Sequence, residues 1–269
     1  MELQLPKYGG ERIRENTNLS QIPEYLKKAY VSIEDQRYYK HHGVDIKRTA
    51  SAIFYYIKNN GDAKFGGSTI TQQLVKNLTG NTSSSANRKI EEWLYAIGLE
   101  SNISKDEILE AYLNIIYVGP NIYGVKAGAK YYFNKDVSDL SLAECSFLAG
   151  INNAPNTYNP FTENDRTERI QKRTKTVLNK MLELQAISSD EFETAMSEVE
   201  SGLKFDKGSF ESKSDNFYLY STNPALNELI EDFANKNLIS KEFATNYFAL
   251  SSSIINSTEN NKFILSTSK

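Results

Sequence analysis

The sequence predicts a mainly α-helical protein. Apolar residues recur at spacings of three and four along segment after segment, which is the helical period. Ser-x-x-Glu capping boxes open helices at Ser104, Ser141 and Ser188. Strand candidates are few, and no internal repeat is visible.

At 269 residues the chain is long enough for one large domain or two lobes with a sizeable core. A net charge of −3 excludes a global basic field for nucleic acid, so an anion site must use local Lys and Arg. The single Cys145 excludes an intrachain disulfide, and no Cys/His set has zinc spacing. No run approaches the roughly eighteen apolar residues that span a bilayer, and the N-terminus has no signal-peptide apolar core. By itself such a chain would stay in the cytoplasm; with an anchor upstream it would sit at a membrane.

Residues 1–19 read as a linker or lead-in strand. Ser20 is placed to cap a helix beginning near Pro23. Tyr25, Leu26, Ala29, Tyr30 and Ile33 give that helix its apolar face, and Glu34 falls at its C-terminal end. The stretch 31–43, VSIEDQRYYKHHG, gathers Glu34, Asp35, Arg37, Lys40, His41 and His42. A carboxylate in such company suits a general base; a solvated helix end laced with ion pairs has the same composition.

The next helix, 46–57, carries Ile53, Phe54, Tyr56 and Ile57, which suit either a core or a membrane interface. A Gly- and Asn-rich mobile loop is expected over 59–67. It leads into GGSTITQQLVKN, 66–77, where Ser68, Thr69 and Thr71 meet a helix start. N–H groups and hydroxyls there can bind an anion, and Gln72 and Lys76, four apart, share a face. The order of a nucleotide P-loop is missing, and a plain capped helix remains the alternative.

After a polar loop, 78–87, a helix from Arg88 is expected to bury Ile90, Trp93, Leu94 and Ile97. Arg88 and Lys89 lie four and three residues before Glu92, so the three can cluster. The helix capped by Ser104 packs Ile108, Leu109, Tyr112 and Leu113. A Gly119-Pro120 turn precedes a small-residue helix, and Cys145 reads as an inert core thiol. A Pro/Asn turn at 152–160, a long charged helix at 163–184 and a short helix after Ser188 follow. Residues 201–222 look irregular. Helices are expected from Asn223-Pro224 to Ala234 and after Ser240, and a strand at 262–266.

Five of these stretches, in order, resemble the peptidoglycan glycosyltransferases, glycosyltransferase family 51. The first family motif, Glu-Asp-x-x-Phe-x-x-His-x-Gly, reads here from Glu34 and Asp35 through Tyr38 and His41 to Gly43. The second, Gly-Gly-Ser-Thr-Ile-Thr-Gln-Gln-Leu-x-Lys-Asn, matches 66–77 at every specified position. The third is Arg88, Lys89 and Glu92. The fourth is Glu107 to Glu110 with Tyr112, Leu113, Asn114 and Gly119. The fifth is Leu142-Ala143-Glu144, Leu148-Ala149-Gly150, Pro155 and Tyr158-Asn159-Pro160. Together they cover residues 20–185.

The resemblance implies a lysozyme-like, two-lobed fold, a main lobe plus a membrane-facing jaw built from 46–57 and 59–67. It divides the chain into a lead-in, 1–19, a glycosyltransferase domain, 20–200, and an extension, 201–269, leading toward a further module. The terminal Ser266-x-x-Lys269 has no Lys-Thr-Gly partner, so it is not taken as a transpeptidase site. The implied substrate is lipid II, a disaccharide-pentapeptide on a polyprenyl pyrophosphate, joined into β-1,4 glycan with inversion. Glu34 matches the catalytic base and Glu92 the second catalytic carboxylate. Asp35, Ser68, Thr69, Gln72, Gln73, Lys76, Arg88 and Lys89 fall at substrate- and pyrophosphate-binding positions. A leaving pyrophosphate needs cations and N–H donors, which this set supplies. No cofactor is demanded, although Glu92 could order a divalent cation (Mg or Mn) instead of the cationic group. Implied partners are lipid II, the growing strand, the membrane surface and other cell-wall synthesis proteins, at the outer face of the bacterial cytoplasmic membrane.

Two departures stand out. Tyr38 replaces the usual Phe, adding a hydroxyl that needs a partner, and Ser84 stands where many relatives carry Arg. A lysozyme-like hydrolase would use the same two carboxylates but leaves Lys76, Arg88 and Lys89 unexplained. A non-enzymatic lipid-linked glycan binder leaves Glu34 and Glu92 unexplained.

Overall fold

The computed structural model describes residues 13–58, 67–79 and 86–210. Among these it is mainly helical. The helices are α1 (Glu24–Glu34), α2 (Ile46–Lys58), α3 (Ile70–Thr79), α4 (Ala86–Glu100), α5 (Lys105–Ile115), α6 (Val125–Phe133), α7 (Leu142–Gly150), α8 (Thr167–Glu183) and α9 (Ser189–Ser201). Three short strands, β1 (Ile13–Arg14), β2 (Tyr117–Gly119) and β3 (Ile122–Tyr123), form one sheet in the order β1-β3-β2. β1 runs parallel to β3, and β2 antiparallel to it.

Local chemistry sets most boundaries. Ser104, Ser141 and Ser188 each accept the N3 backbone N–H, and Glu107, Glu144 and Glu191 reach back to the cap, as capping boxes require. Ser20 does not cap α1: it lies in a 3-10 turn, Leu19–Gln21, and Pro23 takes the N-cap position without a side-chain bond. The charged helix starts at Thr167 rather than 163, because the Asp165 carboxylate accepts the Thr167 N–H at 2.8 Å and fixes its first turn. The helix after Ser188 runs thirteen residues and is not short.

α7 is buried at every position, as a helix apolar almost all round must be. It packs between α1, α8 and α9. Gly128 of α6 lets Leu148 and Val118 approach to 3.0 Å of where a Cβ would stand, the close packing expected of that small-residue helix. Cys145 is fully buried, and burial pushes its thiol well above the ordinary range, so it is inert. The added hydroxyl of Tyr38 is satisfied by donating to the Lys105 carbonyl at 2.5 Å.

α4 departs from expectation. Ile90, Leu94 and Ile97 are 52%, 65% and 44% exposed, while Ala96 and Leu99 are buried and Glu92 is only 4% exposed. The period was right but the direction was not. The helix turns its Arg88–Glu92 cluster inward toward α3 and leaves Ile90, Leu94 and Ile97 of the expected stripe outside, while Trp93 is half-buried.

Of the sequence expectations, the loop at 59–66, Ser84 and everything from 211 onward lie outside the described residues.

Candidate active site

α1 ends at Glu34, and the chain turns sharply at Asp35. The two neighbouring carboxylates therefore part. Asp35 is fully buried: its Oδ2 accepts the Ile70 backbone N–H at 3.0 Å and faces His41 Nε2 at 2.9 Å. It thus caps the first turn of α3 and welds the end of α1 to the start of α3. Lys105 and Glu100 pair at 2.7 Å beside the same His41, whose Nδ1 is 3.5 Å from Lys105 Nζ. His41 braces this junction, and His42 is exposed.

Gly43 completes the turn. Its φ is +82°, and a Cβ there would stand 2.4 Å from the Ala96 carbonyl oxygen. Only glycine combines that backbone with so close an approach to α4. The Gly43 carbonyl accepts the Thr69 hydroxyl at 2.6 Å, so α1, α3 and α4 meet around one loop.

Glu34 faces the other way. It lines a cleft of about 390 Å³ with Arg48, Ser68, Gln72, Gln73, Lys76, Asn77, Glu92, Tyr117 and Asn152. Gln73 Nε2 donates to Glu34 Oε2 at 2.9 Å, and Asn152 Nδ2 donates to Oε1 at 3.1 Å. Asn152 Nδ2 also donates to the Tyr112 hydroxyl at 2.9 Å, which donates to Gln73 Oε1 at 3.0 Å. Burial, and then the Glu34 charge, push the Tyr112 phenol well above its ordinary value, so it stays a neutral hydroxyl. The Arg48 guanidinium donates to the Glu34 main-chain carbonyl.

Across the cleft, Glu92 pairs with Arg88 Nη1 at 2.6 Å and with Lys89 Nζ. Lys89 also donates to Ser68 Oγ at 2.9 Å. Two cations against one nearly buried carboxylate, with Lys76 on the next wall, give this end of the cleft net positive charge. Both Glu92 oxygens are engaged by cations, and among the described residues no three His, Cys, Asp or Glu side chains cluster for a metal. That donor set does not fit a divalent cation held by the protein alone.

The cleft thus collects Glu34, Glu92, Ser68, Gln72, Gln73 and Lys76, with Lys89 and Arg88 bonded to its wall. It does not include Asp35 or Thr69, both buried and spent on the frame, so neither is placed to touch substrate. Sequence reasoning missed Arg48, Asn77, Tyr112, Tyr117 and Asn152 as site residues. Only Tyr112 carried a signal, a core tyrosine whose hydroxyl must find a partner.

A family model described as Transglycosylase matches residues 3–182. The chain therefore belongs to the transglycosylase family, and its mainly helical architecture is the lysozyme-like one expected there. It is 42% identical over 228 residues to penicillin-binding protein 1A of Clostridium perfringens, covering 82% of this chain and 27% of that one. It is 40% identical over 224 residues to penicillin-binding protein 1A of Neisseria lactamica, covering 83% and 27%. With penicillin-binding protein 1F of Bacillus subtilis it shares 41% over 182 residues, covering 68% and 25%. A crystal structure of penicillin-binding protein 1A from Haemophilus influenzae aligns with a TM-score of 0.43 at 23% identity, over 86% of this chain and 22% of that one. The chain spans about a quarter of the length of the curated relatives it matches.

Proposed function

We propose that the domain is a peptidoglycan glycosyltransferase that polymerises lipid II into β-1,4 glycan with release of polyprenyl pyrophosphate. One observation carries this reading: a fixed carboxylate, Glu34, lines the same cleft as Lys76, Ser68 and Glu92, and Lys89 and Arg88 are bonded to the last of these. A sugar 4-hydroxyl is a poor nucleophile at neutral pH, and Glu34 takes its proton as it attacks. The leaving pyrophosphate gathers negative charge, which Lys76, Arg88 and Lys89 are placed to meet. Attack from the face opposite the leaving group inverts the anomeric carbon. Glu92 holds the two cations in place, and Gln72 supplies a further amide at the cleft wall.

The exposed Ile90, Leu94 and Ile97 of α4, with Ile46 and Phe54 of α2, supply an apolar surface for the membrane that carries a polyprenyl substrate. Among the described residues no helix is long and apolar enough to cross a membrane. The expected place is the outer face of the cytoplasmic membrane, with other cell-wall synthesis proteins as neighbours.

The test is incubation with labelled lipid II and, separately, with polymeric peptidoglycan, resolving products by size. Growth of long glycan from the first and no cleavage of the second is expected. Cleavage of polymer without synthesis would replace this reading with a hydrolase.

A further inference from the structure

Tyr112, Gln73 and Asn152 come from three separate helices or turns, yet their polar ends and the Glu34 carboxylate close into one ring. The four contacts are all between 2.9 and 3.1 Å. With Glu34 as a carboxylate, which only accepts, both amides must present N–H to it. Gln73 Oε1 is then left to accept, so Tyr112 donates to it, and Asn152 spends its second hydrogen on Tyr112. Every hydrogen has one consistent direction. Tyr112 itself is fixed by the core: it is fully buried and packs edge-on against Tyr30 at 6.1 Å between centroids. The Tyr30 hydroxyl in turn donates to the Leu148 carbonyl of α7 at 3.1 Å.

We propose that these three are the positioning residues of Glu34. This rests on the reading of Glu34 as the general base. Gln73 and Asn152 then hold one oxygen each and leave the carboxylate's remaining lone pairs for the attacking hydroxyl, and Tyr112 locks the two amides to each other and to the core. Gln73, which the family pattern places among substrate contacts, is assigned here to the base. A side chain at the end of α1 otherwise has several rotamers, and proton transfer needs one of them held within hydrogen-bond reach.

The test uses the full chain and lipid II, with wild type, Tyr112→Phe, Asn152→Ala, Asn152→Gln, the double variant Tyr112→Phe/Asn152→Ala, and Glu34→Gln. Tyr112→Phe keeps the buried ring and removes only the hydroxyl, so the fold is retained. Expected for Tyr112→Phe is a kcat lower by about tenfold to a hundredfold, with KM within about twofold and Tm lower by about 2–8 °C for the one or two hydrogen bonds lost. Asn152→Ala should behave alike, Asn152→Gln should recover part of the loss, and the double variant should lose less than the product of the two single effects. Wild-type kcat in Tyr112→Phe and Asn152→Ala, with Glu34→Gln inactive, would overturn the positioning group and leave the base in place. So would a KM rising in step with the fall in kcat and Tm, since that marks a merely structural role. An active Glu34→Gln would overturn the base itself.

Discussion

Replacing Asp35 by Ala tests whether this residue frames the site or touches substrate. Its carboxylate is fully buried, with the Ile70 N–H at 3.0 Å and His41 Nε2 at 2.9 Å. Loss of an N-terminal cap costs about 1 kcal/mol. Loss of a hydrogen bond to a charged group costs about 1.5–3 kcal/mol, and His41 would be left buried beside Lys105 and Glu100 without its partner. Together these put the destabilisation at about 2.5–4 kcal/mol. For a domain of this size, each kcal/mol moves Tm by about 2–4 °C, so a fall of roughly 5–16 °C is expected. Asp35→Asn keeps an acceptor for Ile70 and should cost less than half as much. Urea titration and calorimetry read the effect directly. A raised KM in Asp35→Ala with an unfolding free energy within about 0.5 kcal/mol of wild type would refute the framing role and restore Asp35 as a substrate contact.

The other predictions concern separate parts of the molecule. Gly43→Ala forces a Cβ to 2.4 Å from the Ala96 carbonyl at φ +82°; a loss of at least about 2 kcal/mol on denaturant titration is expected. Lys89→Ala removes the tie between Ser68 and Glu92, so lipid II should bind more weakly in a titration, and Tm should fall by several degrees because the nearly buried Glu92 keeps only Arg88. Leu94→Glu should reduce sedimentation with anionic vesicles and leave stability within about 0.5 kcal/mol, since the residue is 65% exposed. Glu191 is held below its ordinary value, first by the Tyr25 hydroxyl bonded to it at 2.5 Å. A depressed carboxylate contributes stability that is present above its unfolded value of 4.5 and lost as pH falls through the lower folded one. Stability measured from pH 5 downward should therefore fall less steeply in Tyr25→Phe than in wild type.

Local signals were legible in the sequence wherever chemistry is settled within four residues. The three Ser-x-x-Glu boxes opened α5, α7 and α9 where expected, and Glu34 fell at the end of α1. What failed needed the third dimension. Glu34 and Asp35 are neighbours in sequence, but the turn after α1 sends one into the cleft and the other into the frame. On α4 the apolar period fixed a face that does not meet the core; the face that does carries Glu92, Ala96 and Leu99, four and three residues apart. Asn152 lies 118 residues from Glu34, and Gln73 lies 39 residues away. No local pattern links such pairs, so the ring around Glu34 had to be seen folded.

The most direct measurement compares Glu34→Gln with wild type at equal loading of labelled lipid II, following both bound substrate and polymer. Binding preserved to within about threefold with no polymer formed is the expected result. Polymer accumulating at a rate near that of wild type would mean that some other group removes the proton, and that the carboxylate at the end of α1 serves another purpose.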